Sequence, residues 1–224
     1  MKNAHLFFIL LLFPLIGISQ KSENADLKSG LRVGLNTELI FLGEYGINVE
    51  YNFGRKSIYS QINYNRPILP KSSKPNVDFT ENTNSYYCAS GPVIKIGFRK
   101  NSKYSEKNRR TYFYGAELIF KELSFDNLTL QRPSDKYYFD QEISMQSYRY
   151  GSAFRIGLRK SFTPKSKLYW SLSTAIGVLY NDETRILHYS HEYTDLPFET
   201  PYKNDGLLVT VSLNLVVGFD FSNK

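Results

Sequence analysis

From Gly30 onward the chain changes character at every second residue. Leu31, Val33, Leu35, Thr37 and Leu39 fall on one parity, with Arg32, Gly34, Asn36 and Glu38 on the other. Tyr45, Ile47, Val49, Tyr51 and Phe53 repeat the pattern against Gly46, Asn48, Glu50 and Asn52. A helix would scatter the two sets around its surface, whereas an extended strand puts them on opposite faces. The alternation predicts eight strands.

After the tight turn Gly54-Arg55-Lys56-Ser57, the third strand is expected from Ile58 to about Ile68 and the fourth from Tyr86 to Arg99. Pro92 has no N–H to give a ladder, so either a bulge sits there or the register slips by one. The fifth, Arg110 to about Leu123, sets Tyr112, Tyr114, Ala116, Leu118 and Phe120 on one face. The sixth, Gln146 to Lys160, sets Tyr148, Tyr150, Phe154, Ile156 and Leu158 against Arg149, Gly151, Ala153, Arg155, Gly157 and Arg159. The seventh runs from Lys167 to Tyr180, with Leu168, Trp170, Leu172, Thr174, Ile176 and Val178 against Tyr169, Ser171, Ser173, Ala175 and Gly177. The eighth is apolar at every alternate position: Leu207, Val209, Val211, Leu213, Leu215, Val217, Phe219 and Phe221. A face that long has to be buried in something.

Between these segments lie polar stretches. Those after the third, fifth and seventh strands (69–85, to about Met145, and to about Gly206) read as long loops, and the others are shorter. With both termini on one side, the three long loops share the opposite side, the asymmetry of bacterial outer-membrane barrels. Before the first strand, Lys2, an apolar run from Leu6 to Ile18 of 13 residues broken by Pro14, and Gly17-Ile18-Ser19 read as a signal peptide cleaved after Ser19. A spanning helix needs about 20 apolar residues. The expected organisation is a signal peptide at 1–19, a short periplasmic segment at 20–29 and one barrel domain at 30–224.

The pattern, the loop parity and the terminal Val217-Gly218-Phe219-Asp220-Phe221 resemble the small eight-stranded outer-membrane barrels of the outer-membrane protein A type. The resemblance spans nearly all of 30–222. It implies an all-β, closed, antiparallel up-and-down transmembrane barrel, located in the outer membrane, with outer-membrane lipid and the assembly machinery as partners. In that family the last strand commonly ends on an aromatic; here Phe221 is followed by Ser222-Asn223-Lys224.

Composition sharpens this picture. Tyr occurs 18 times and Phe 16 times, against a single Trp, an enrichment suited to strands that meet two membrane interfaces. The net charge of +7 is spread over turns and inward strand positions, which argues against a nucleic-acid stripe. Cys88 is the only cysteine, so neither an intramolecular disulfide nor a cysteine zinc site is available.

Candidate chemistry is sparse. Arg32, Glu38, Glu50, Lys95, Arg99, Glu117, Arg149, Arg155, Arg159 and Asp220 share the face opposite the apolar one, and would line either a channel or proton relay, or a packed network. The narrow interior of an eight-stranded barrel favours the network. His188 and His191, with Asp182, Glu183, Glu192 and Asp195 nearby, could hold a metal or form an acid–base pair, but they lack a fixed third ligand and read as solvated loop residues. Asn127-Leu128-Thr129 matches a glycosylation sequon of little meaning in a bacterial chain, and no phosphate loop is present. No catalytic, cofactor or metal residue is assigned. The expected role is non-enzymatic: extracellular loops presented for envelope integrity, adhesion or assembly with an extracellular or periplasmic protein. A narrow solute pore and a soluble lipocalin-like carrier of an apolar ligand are the alternatives. The carrier requires the Leu and Val face to point inward and the Arg and Glu face outward.

Overall fold

The computed structural model describes residues 29–38, 43–66, 89–102, 109–133, 138–163, 166–189 and 198–221. The proposed signal peptide, Cys88 and His191 lie outside them. The described residues contain eight strands and no helix: β1 (Gly30–Glu38), β2 (Glu44–Phe53), β3 (Lys56–Asn65), β4 (Gly91–Asn101), β5 (Arg110–Pro133), β6 (Tyr138–Ser161), β7 (Leu168–Tyr189) and β8 (Phe198–Asp220). Each pairs antiparallel with its sequence neighbours. β1 also pairs with β8, from Arg32 opposite Asp220 to Glu38 opposite Asn214, so the strands form a ring in up-and-down order.

The registers fix the slant of that ring. Paired residues followed once round from Arg32 run through Glu50, Tyr59, Gly97, Glu117, Ala153, Gly177 and Thr210. The β8–β1 register pairs residues whose numbers sum to 252, against a sum of 242 for Arg32 and Thr210, a stagger of ten residues. Such a stagger goes with strands inclined by roughly 35–45° and an interior just wide enough for side chains.

Side chains take the faces the alternation assigns. Outward stand Leu35, Ile47, Ile62, Leu118, Phe154, Ile176 and Val211, all exposed; inward stand Glu50, Gln61, Lys95, Glu117, Arg155 and Asn214, all buried. The ends facing the termini are closed by short connections. Gly54 has φ 70° between Phe53 and Lys56, which pair directly, the conformation that a two-residue hairpin of type II′ demands of its first residue. Lys56 and Ser57 are thus already strand.

Pro92 produces neither of the two expected irregularities. It is the second residue of β4 and stays in unbroken register opposite Tyr64. The β4–β5 ladder bypasses it, resuming from the Ser90–Ser124 bridge at Val93 opposite Lys121. The described parts of these strands end at Asn65 in β3 and begin at Gly91 in β4; 67–68 and 86–88, which the polarity pattern adds to them, lie outside the described residues.

The larger correction concerns the loops after the fifth and seventh strands, which are mostly strand. β1 to β4 have 9, 10, 10 and 11 residues, while β5 to β8 have 24, 24, 22 and 23. The β5–β6 ladder continues to Pro133 opposite Tyr138, with a bulge between Phe125 and Leu128, and β7–β8 continues to Tyr189 opposite Phe198. Among the described residues, half the ring therefore rises as a four-stranded sheet above the described ends of β1–β4, on the side away from the termini.

Candidate functional site

Two features could carry function: the filled interior of the ring and the sheet that rises above it. The interior is built in tiers. Nearest the termini, Glu50 accepts hydrogen bonds from Arg99 Nη1 at 3.0 Å, from Arg32 Nη1 at 3.3 Å and from Arg159. Arg32 Nε also donates to Asp220 at 2.7 Å and its Nη1 to Asn52 at 2.5 Å. The Arg99 guanidinium lies 3.5 Å from the centre of the Tyr59 ring and 4.6 Å from that of Phe113; Arg159 lies between Phe113 and Tyr169. Aromatic faces attract cations, so these rings fill the space between guanidiniums that would otherwise repel.

Above this tier Arg155 makes a two-pronged bond to Glu117, 2.8 Å on each oxygen, and donates to Ser173 at 2.9 Å. Tyr59 gives its hydroxyl proton to the same carboxylate at 2.5 Å. Near the rim Lys95 bridges Glu38 and Glu44, and Lys121 completes the Glu44 pair. Asn36–Asn63 and Gln61–Asn48 amide bonds of 3.0 and 3.2 Å knit β1, β2 and β3 around it. Ile119, Ala153, Ala175 and Leu179 pack together on the opposite wall.

The inward set expected from the sequence is thus brought together. Arg32, Glu38, Glu50, Lys95, Arg99, Glu117, Arg155, Arg159 and Asp220 all join the interior network. Arg149 sits higher, donating to Ser147 and Asn181 at 3.3 and 3.0 Å. Glu44, Lys121 and Tyr59 are central members that the pattern did not single out. Their signal is parity alone: Glu44 precedes the first outward residue of β2, Lys121 follows Glu117 at even spacing, and Tyr59 shares its face with Gln61 and Asn63.

Above the rim the inner face of the sheet divides. Leu123, Phe125, Ile143 and Met145 are buried on the β5–β6 side, while Asn181, Glu183 and Arg185 are buried on β7, with Glu183 bonded to Arg185. The outer face turns polar at the same height: Lys203 reaches Asp205 at 2.9 Å and Asp182 at 3.7 Å. The hydrogen bond from Lys203 holds the Asp205 carboxyl below its ordinary range and raises the ammonium in return. His188 lies in β7, in register between Glu142 and Glu199. Among the described residues no three metal-ligating side chains gather.

Comparison with protein-family models, with curated proteins and with solved structures gives no match.

Proposed function

We propose that this chain crosses the outer membrane with the lower part of its ring and holds the extension of β5–β8 on the outside, as a non-enzymatic contact element for a protein partner. The observation that carries the reading is the reversal of ordinary burial: large apolar side chains face out all round the ring while ionised ones face in. In water this arrangement would be costly on both faces; in a bilayer it satisfies both. β1 to β4, with 9 to 11 residues, have the length that a strand inclined at about 45° needs to cross the hydrocarbon layer.

The aromatic positions support the same placement. Tyr45–Tyr64 and Phe120–Tyr150–Tyr180 are cross-strand neighbours near the rim. Phe53, Tyr112, Trp170, Phe219 and Phe221 lie near the termini end. Two such bands are what the two interfaces of a bilayer select. Above the upper band the outer face carries Asp182, Lys203 and Asp205, suited to water.

The soluble-carrier alternative needs the two faces exchanged, opposite to their placement here. The interior favours a packed network over a solute pore, since ion pairs and rings cross it at successive heights. Cell fractionation with heat-modifiable gel mobility tests the proposal. The chain should sediment with outer membranes and migrate as a compact species until boiled. Recovery in the soluble periplasm would overturn it.

A further inference from the structure

The lower end of the ring, beside the termini, is charged on one side only. There β3, β4, β5 and β6 turn Lys56, Lys100, Arg110 and Lys160 outward, Arg55 stands exposed in the β2–β3 turn, and Lys167 lies at the margin before β7. At the same end β7, β8, β1 and β2 turn Trp170, Phe219, Leu31 and Phe53 outward instead. Among the described residues none of these cations is paired with a carboxylate, and the acid at this end, Asp220, is bonded to Arg32. One row of backbone-paired residues leads away from the patch. Lys100 pairs with Tyr114, Tyr114 with Ile156, Ile156 with Thr174 and Thr174 with Leu213, all of outward parity. Lys100 is the last residue but one of β4, whereas Leu213 lies seven residues above Asp220 at the foot of β8. The row runs perpendicular to the strands. Its four interstrand steps of about 4.8 Å cover roughly 19 Å, and on strands inclined by roughly 35–45° they climb about 11–14 Å. That is half the height of the apolar band of an outer-membrane barrel, about 25 Å.

A groove of about 620 Å³ follows this row, with Arg55 and Lys100 at its lower end, Tyr112 and Tyr114 along its middle, and Leu172 and Leu213 at its upper end. Thr174, the shortest side chain of the row, also lines it and keeps the hollow open. We infer that the groove is a binding site for an anionic phospholipid of the leaflet on the termini side, with the phosphate held by Lys100 and Arg55 and one acyl chain laid along the row toward Leu213. The inference rests on the membrane placement proposed above and names a lipid partner within it. The groove opens on the face that meets hydrocarbon, so its occupant joins a negative head to an apolar chain. A soluble anion lacks the chain, and an extended protein segment would bring unpaired backbone groups into lipid. Basic pockets beside membrane-spanning segments take anionic headgroups in this way. A general attraction to anionic lipid would be served by cations all round the ring; here they gather on the side where the groove begins.

The single Trp of the chain reports the occupant, since Trp170 stands two residues below Leu172 on the same face. The full chain is placed in phosphatidylcholine vesicles that contain, at equal mole fraction, either phosphatidylglycerol or phosphatidylcholine brominated on its acyl chains, and quenching of Trp170 is compared. One Lys or Arg close to an anionic lipid is worth about fivefold in affinity, so brominated phosphatidylglycerol should quench as though enriched beside Trp170 by at least that factor. Lys100→Gln combined with Arg55→Gln should remove the preference. Lys160→Gln combined with Lys167→Gln removes the same charge outside the groove and should leave most of it. Thr174→Phe fills the groove while keeping every cation, and should also remove it. All three variants should retain heat-modifiable mobility. Equal quenching of the natural chain by the two lipids would overturn the site, as would equal loss in the two charge variants or an undiminished preference in Thr174→Phe. Absence of quenching by either lipid would overturn the membrane placement and the site with it, a result distinct from equal quenching by both.

Discussion

Glu50 is where the interior is most exposed to a single change. Its carboxylate is fully buried and faces Arg32, Arg99 and Arg159. Removing one partner of a buried ion pair costs about 3–5 kcal/mol because the remaining charge is stranded. Glu50→Gln should therefore destabilise the folded ring by that order, measured as the shift of its urea unfolding curve in vesicles; an unchanged midpoint would show that water screens the site. Glu117 and Arg155 offer a cleaner pair, bonded to each other on two oxygens. Replacing both by apolar residues should cost less than replacing Arg155 alone, since no unpaired carboxylate is left. A smaller residue tests the packing. Gly97 lies opposite Tyr59, and a Cβ there would come within 2.5 Å of the ring. The ring could yield only by leaving Glu117 and the Arg99 stack, so Gly97→Ala should cost about 1–3 kcal/mol. In a Tyr59→Ala background, where the ring is gone, the same substitution should cost little. Equal costs in both backgrounds would sink this explanation. The alternation does not mark Tyr59 as central, because an inward tyrosine departs from the apolar-out, polar-in rule that makes the charged positions legible.

At the scale of elements, the sequence reveals a strand only where its two faces meet different surroundings. The lower parts of all eight strands alternate cleanly, and their facing is as expected. In 126–142 and 181–206 Asp, Asn, Lys and Pro occur on both parities, so these stretches look like loops although most of them continue β5 to β8. Above the rim neither face needs to be apolar throughout, and period-two alternation loses its cause. The neighbouring ladder supplies the order there, and sequence periodicity does not record it. The shortened connections sharpen the expectation for protease added to intact cells. Trypsin should cut at Lys136, in the connection between β5 and β6, and leave the Gly54-Arg55 turn at the opposite end intact. Cleavage at Arg55 with Lys136 spared would mean that the chain sits the other way up. The same division predicts that the extension is dispensable for insertion: joining Asn127 to Ser144 removes the top of the β5–β6 hairpin but none of the outward apolar band, and the variant should enter vesicles as completely as the natural chain.

The whole molecule is an inside-out arrangement, and its two faces can be weighed against each other at one point in β8. Leu213 faces out midway down the ring, while its neighbour Asn214 faces in and finds no hydrogen-bond partner for either side-chain polar atom. Arg on the lipid face at mid-depth costs about 2–4 kcal/mol, whereas an inward exchange of one small polar group for another disturbs only packing. The decisive measurement is the folded yield of the natural chain, Leu213→Arg and Asn214→Ser, each with and without lipid vesicles. A ring that crosses a membrane should give folded protein only with vesicles, Asn214→Ser matching the natural chain and Leu213→Arg falling well below both. Equal folding of the natural chain in plain buffer, or insertion of Leu213→Arg as readily as Asn214→Ser, would contradict the placement in the membrane.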